Sequence, residues 1–233
     1  METREVLKVE HLRKAYRGQD VLKDVTFSLE SGTATALVGP AGAGKTTLFR
    51  ILAGMAFPDG GSVSLFGSSG EAELRKARQQ AGFLVDAAFG KKTFSVGKNL
   101  FLLAGLYGKP DKRYIRHLMK RLKISETDIG GKRVSWILPD AQKRYALASA
   151  LAHRPRLLIL DEALTDADTE DLEPMCSLLD ELREEGAALL LSGSGTERLR
   201  SVCSEVLLLN EGIIAGPTPM AELIKREDPE EDP

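Results

Sequence analysis

Apolar positions along this chain follow two rhythms. Val6–Val9 and Val25–Leu29 alternate or cluster as strands do, with turn signals at Gly18 and Ser31-Gly32. Thr33–Gly39 is rich in β-formers and runs into a glycine-rich loop. Lys45–Gly54 then places Leu48, Ile51 and Leu52 on one helical face. Pro58-Asp59-Gly60-Gly61 predicts a turn and Ser62–Phe66 a short strand. Glu71–Ala81 reads as a charged helix and Gly82–Val85 as a further strand. From about Ala87 to Pro155 strand signals fade, and Val96–Leu106, Tyr114–Leu122 and Ala141–His153 carry helical periodicity. Beyond them Leu157–Leu160, Ala187–Leu191 and Val206–Leu209 are wholly apolar, with a helix expected at Leu172–Glu184. Short strands without polar alternation need cover on both faces, which is the signature of a parallel sheet between helices. The expected fold is α/β, one domain with a core at 1–86 and 156–215. A helical lobe is inserted at 87–155, and a C-terminal tail occupies 216–233, acidic and proline-bearing from Glu227.

Composition narrows the function classes. A length of 233 residues suits one large domain with an inserted lobe. A net charge of −2 argues against nucleic acid or anionic lipid as a general partner. Cys176 and Cys203 belong to no CxxC or Cys/His cluster, so no structural disulfide is expected and a reducing compartment is the simpler reading. The N-terminus has no apolar core of a signal peptide, and no apolar run approaches the ~20 residues that span a bilayer. Any membrane role is expected to come through partner subunits.

Two motifs carry chemistry. Gly39-Pro40-Ala41-Gly42-Ala43-Gly44-Lys45-Thr46 matches GxxxxGK[ST] between a predicted strand and a predicted helix. Glycines let main-chain N–H groups curl round a phosphate, and the helix N-terminus adds partial positive charge. Lys45 is expected at the β- and γ-phosphates, the Thr46 hydroxyl on Mg²⁺, and Thr47 at the α-phosphate. The second motif is Asp161-Glu162, two acids at the end of the apolar strand Leu157–Leu160. Strand ends line the crevice of an open parallel sheet. Asp161 is expected to hold Mg²⁺, and Glu162 to polarise an attacking water.

With these motifs in this order, residues 5–215 resemble the ABC ATPase family. The resemblance implies a P-loop NTPase (RecA-like) core with a parallel sheet, an antiparallel β subdomain and an inserted α-helical lobe. It places an adenine-stacking aromatic at Tyr16 and a D-loop aspartate at Asp168. Phe94–Gly108 looks like the lobe segment of cassettes serving drug, antibiotic and lipid exporters, and Gln142–Leu151 like the helix after the family signature. It also implies ATP and Mg²⁺ as ligands, a second cassette facing this one, and transmembrane partner subunits. The expected location is the cytoplasmic face of a membrane.

The chain departs from that pattern at several places. The signature Leu-Ser-Gly-Gly-Gln is here Leu138-Pro139-Asp140-Ala141-Gln142. Pro139 has neither N–H nor hydroxyl, and Asp140 puts a negative charge near a phosphate. Ser194 stands at the switch-histidine position, and His11, His117 and His153 all lie elsewhere in the chain. Asp86 stands where the family has the Q-loop glutamine; it can bind Mg²⁺ but cannot donate an amide hydrogen bond. The D-loop segment Glu162–Asp168 lacks the usual proline after the glutamate. Three readings follow: a motor subunit with weak ATPase activity, a cassette that binds ATP without hydrolysing it, and an ABC protein outside transport. The compact single cassette disfavours the last.

Overall fold

The computed structural model describes residues 5–85, 93–124, 132–134, 139–164, 169–193 and 195–227. Strands β1 (Glu5–Tyr16) and β2 (Gln19–Glu30) form an antiparallel hairpin. Beyond β3 (Ala34–Val38) and helix α1 (Lys45–Leu52), strand β4 (Gly60–Leu65) adds antiparallel to β1. These three strands are the antiparallel β subdomain. After α2 (Glu71–Ala77) come β5 (Ala81–Leu84) and the lobe helices α3 (Val96–Gly105), α4 (Lys112–Arg121) and α5 (Pro139–Leu151). The chain then returns to the sheet with β6 (Leu157–Leu160), α6 (Thr169–Glu184), β7 (Ala188–Gly193) and β8 (Glu205–Asn210). Strands β8, β3, β7, β6 and β5 are neighbours in that order and run parallel. Strand β9 (Ile213–Pro219) turns back antiparallel on β8 and touches β2 at Asp24–Ile213. It thereby joins both halves into one sheet, ordered β4-β1-β2-β9-β8-β3-β7-β6-β5.

The pleat explains why β6, and β7 as far as Leu191, are apolar throughout. Leu158, Leu160, Leu189 and Leu191 face one core, with Tyr145 and Leu151 of α5 and Met175, Leu179 and Leu182 of α6. Leu157, Ile159, Ala188 and Leu190 face the other, with Leu48, Phe49, Ile51 and Leu52 of α1. Each fully buried leucine contributes roughly 1.5–3 kcal/mol of transfer free energy, so both layers are held by the same few strands. The lobe helices open on caps. The Ser95 hydroxyl accepts the Lys98 N–H, and the Asp111 carboxylate accepts the N–H groups of Arg113 and Tyr114.

Two segments differ from the sequence pattern. The helix expected to reach Ala81 ends at Ala77, with one 3₁₀ turn at Arg78–Gln80. Ala81 is taken by the ladder, where it pairs with Leu157, and Arg78 turns to the end of α1, its Nε donating to the Leu52 carbonyl at 2.9 Å. Residues 216–227, grouped above with the tail, hold the second half of β9 and helix α7 (Met220–Glu227), anchored by buried Met220 and Leu223. Strand β9 exposes most of its side chains, so it shows no apolar alternation to read. Residues 228–233 lie outside the described part.

Candidate functional site

Strand register builds the site. Leu160 of β6 pairs with Leu191 of β7, and Leu37 of β3 pairs with Ser192 of β7. The ends of these three central strands therefore lie side by side. Along β6, Leu157 and Ile159 face α1, and two residues on so does the side chain of Asp161. Along β7, Ala188 and Leu190 face α1, and two residues on so does Ser192. Strand β3 feeds the loop that opens α1.

That loop is shaped by close approaches. Gly39 leaves β3 so near β8 that a Cβ would come within 2.1 Å of the Leu209 carbonyl oxygen. Gly44 has φ 107°, a conformation glycine adopts without steric cost, and any Cβ would press on Val21 and Leu22 of β2. Pro40, Ala41 and Gly42 are exposed, while Ala43 is buried beneath them. Lys45 is the first residue of α1 and is buried, 5% exposed. Its Nζ donates to the carbonyls of Gly39 (2.6 Å) and Pro40 (3.1 Å). A buried ammonium held by neutral oxygens keeps most of its charge uncompensated, which suits an anion in the loop.

The next residue reaches the carboxylates. Thr46 Oγ1 donates to Asp161 Oδ2 at 2.7 Å, across 115 residues of sequence. Asp161 Oδ1 accepts from Ser192 Oγ at 2.6 Å, and Ser192 Oγ accepts the Glu162 N–H at 2.9 Å. Glu162 sits at φ 51°, uncommon for a residue with a side chain. A hydroxyl and a carboxylate side by side are hard oxygen donors of the kind Mg²⁺ takes. The donor set and the glycine-lined loop therefore fit a magnesium–nucleotide pair. Thr47, the other hydroxyl at the head of α1, is half-buried.

Tyr16 lies at the tip of the β1–β2 hairpin, paired with Gln19, while Val21 and Leu22 of β2 flank Gly44. The same hairpin thus borders the loop. The ring is 43% exposed, with Lys14 Nζ 5.3 Å from its centroid. Lys14 is fixed by Asp59 at 2.8 Å, and Asp59 also accepts the Ala15 N–H.

Asp86, Leu138, Asp168 and Ser194 lie outside the described residues. Pro139 and Asp140 open α5. Of the three histidines, His11 bonds Asp24 and His117 lies 3.7 Å from Glu181. His153 stacks on Tyr107 with ring centroids 3.8 Å apart, and its Nε2 lies 3.1 Å from the Ala81 carbonyl. Burial pushes the His153 imidazole below its ordinary range, and the Ala81 contact partly opposes that. A separate cleft of about 440 Å³, bordered by Met55, Arg78, Phe83, Tyr107 and His153, includes no residue of the loop.

Sequence reasoning missed Ser192. The signal was there in weak form: a serine directly after the apolar run Ala187–Leu191, with nothing local to say which carboxylate it would meet.

The comparisons with known proteins agree with this geometry. Residues 22–165 match the family described as ABC transporter. The Nod factor export ATP-binding protein I of Ralstonia nicotianae is 28% identical over 208 residues, 89% of this chain and 65% of its own length. This chain thus spans just under two thirds of that relative. A structure of an ATP-binding subunit of an ABC transporter superposes with TM-score 0.85 at 24% identity, covering 95% of this chain and 92% of the other. A dimeric post-hydrolysis state of an ATP-binding cassette bound to ADP and Pi superposes with TM-score 0.82 at 21% identity, covering 92% and 98%. The matched residues include the glycine loop, Asp161 and Glu162 and cover more than half of the chain, and the chain belongs to the ABC transporter family as an ATP-binding cassette.

Proposed function

We propose that this chain binds MgATP and acts as the nucleotide-binding subunit of an export-type ABC transporter, with slow hydrolysis. It would work at the cytoplasmic face of a membrane, with transmembrane subunits and a second cassette as partners. No helix among the described residues is long and apolar enough to cross a membrane, so the partners would supply the passage. The export direction follows the relative named for Nod factor export.

One observation carries the reading: buried Lys45 in the glycine loop, one residue from a Thr46–Asp161 pair. Lys45 and the main-chain N–H groups of 39–47 would compensate the phosphates. Thr46 and Asp161 would hold Mg²⁺, whose chemistry is to neutralise charge on the phosphate oxygens. Asp86 would add a carboxylate there in place of an amide. Glu162 would orient the attacking water, with Ser194 in place of a histidine donor. Tyr16 would stack on the base. Calorimetry with ATP and Mg²⁺ tests this. The parent binds, and Lys45→Met loses affinity by more than about tenfold. In the assembled complex, Glu162→Gln abolishes phosphate release. A well-folded parent with no affinity for ATP overturns the reading.

A second reading is favoured by the opening of α5. Pro139 brings no N–H to that helix N-terminus, and Asp140 adds a negative charge. An anion gripped there by a facing cassette meets fewer donors and a like charge. On this reading the chain binds ATP and braces a partner without hydrolysis. Phosphate release from the complex, present or absent at retained ATP affinity, separates the two.

A further inference from the structure

We propose that Ser192 is a positioning residue that aligns the Asp161 carboxylate and the Glu162 main chain for magnesium; the inference rests on the MgATP reading above. Ser192 is 1% exposed and is the penultimate residue of β7, the strand between the one that feeds the phosphate loop and the one that Asp161 follows. A hydroxyl has one proton and two lone pairs. Its proton goes to Asp161 Oδ1 at 2.6 Å, so a lone pair is left for the Glu162 N–H at 2.9 Å. The direction of both bonds is therefore set.

Each bond removes one freedom. A carboxylate torsion is broad and roughly two-fold, so Asp161 held only by Thr46 could turn. With Ser192 on Oδ1 and Thr46 on Oδ2, the plane of the carboxylate is fixed from both sides. Glu162 has left-handed backbone at φ 51°, which side-chain residues hold only when neighbours over-determine it. The bond from its N–H to Ser192 is one such restraint. A single buried side chain thus links the magnesium carboxylate to the residue that orients water. Alanine at this position would leave Asp161 Oδ1 and the Glu162 N–H without that partner.

The test compares the parent with Ser192→Ala, and with the isosteric pair Ser192→Thr and Ser192→Val, which keeps a β-branched residue in the strand. ATP affinity is measured with chelator and with saturating magnesium, and Mn²⁺ binding in the presence of ATP is followed by electron paramagnetic resonance. Partners of metal ligands typically govern metal affinity by about 10–100-fold. Ala and Val are expected to bind ATP as the parent does in chelator but to lose about tenfold or more of the metal-dependent gain. Thr is expected to restore it. The Thr/Val pair decides the matter if the Ala variant does not fold. Equal metal dependence in Thr and Val, or an equal loss with and without metal, overturns the assignment. A parent that binds no ATP overturns the proposed function as well, so the two failures are distinguishable.

Discussion

At the scale of residues, the site is made of groups that the fold holds at a cost. Lys45 is buried with an ammonium whose partners are the carbonyls of Gly39 and Pro40, an arrangement poor in compensation for a full charge. Lys45→Met keeps the stem and removes the charge. Its melting temperature is expected at or above that of the parent by scanning calorimetry, while its ATP affinity falls. Loss of affinity together with a lower melting temperature would mean that the lysine braces the loop instead. His153 gives a second residue-scale outcome. Its imidazole is held below the ordinary value of 6.5, chiefly by burial. Below that value the unfolded chain takes up a proton that the folded chain resists. This contribution to stability is therefore full above 6.5 and is lost as pH falls toward the depressed folded value. Melting temperature is expected to fall from about pH 7.5 to about pH 5.5, and His153→Gln to flatten part of that fall. Equal pH dependence in both proteins would remove His153 from the account.

At the scale of elements, the helical lobe is attached to the sheet by close packing of α5 on β5. Gly82 is the contact point: a Cβ there would lie 2.3 Å from the Ala150 carbonyl oxygen and 2.9 Å from Leu158 Cδ1. The carbonyl belongs to main chain near the end of α5 and cannot swing aside as a side-chain tip could. Gly82→Ala is expected to destabilise by about 1–3 kcal/mol, as overpacking does, seen as a lower denaturant midpoint with unchanged slope. Since β5 leads directly toward Asp86, the same variant is expected to weaken phosphate release more than ATP binding. A variant as stable as the parent would show that α5 can shift along the strand. Arg78 secures the neighbouring seam by donating to the last carbonyls of α1, through Nε to Leu52 and Nη2 to Ile51.

At the scale of the whole molecule, a single cassette offers one phosphate loop and one opening of α5, placed on different parts of the fold. In the family resemblance each nucleotide lies between the loop of one cassette and the signature of another. Pro139 and Asp140 would weaken the grip on the partner's nucleotide, while Asp86 and Ser194, on the same resemblance, would alter this chain's own site. Loss of one transition-state donor costs ~10²–10³ in rate, so a homodimer is expected to turn over slowly. The triple change Pro139→Ser, Asp140→Gly and Ser194→His is expected to raise phosphate release by about tenfold or more. Release unchanged by all three would place the limit elsewhere, in the membrane partners or in Asp86.

Much of this was legible in the sequence because it is local. GxxxxGK[ST] is contiguous from Gly39 to Thr46, and its glycines, lysine and threonine are needed at those positions by the chemistry of phosphate itself. The apolar run Leu157–Leu160 closed by two acids is contiguous as well, and so are the runs that became β3, β7 and β8. Strand β9 was not legible, because its exposed side chains carry no alternation and its place depends on hydrogen bonds to β8. Nor was the role of Ser192. Thr46, Asp161 and Ser192 meet only because β3, β7 and β6 are neighbours in parallel register, with side chains turned to the face of α1. Residue type and spacing are properties of a short stretch of chain, whereas strand order and register arise from packing the whole sheet, and only the folded molecule sets them.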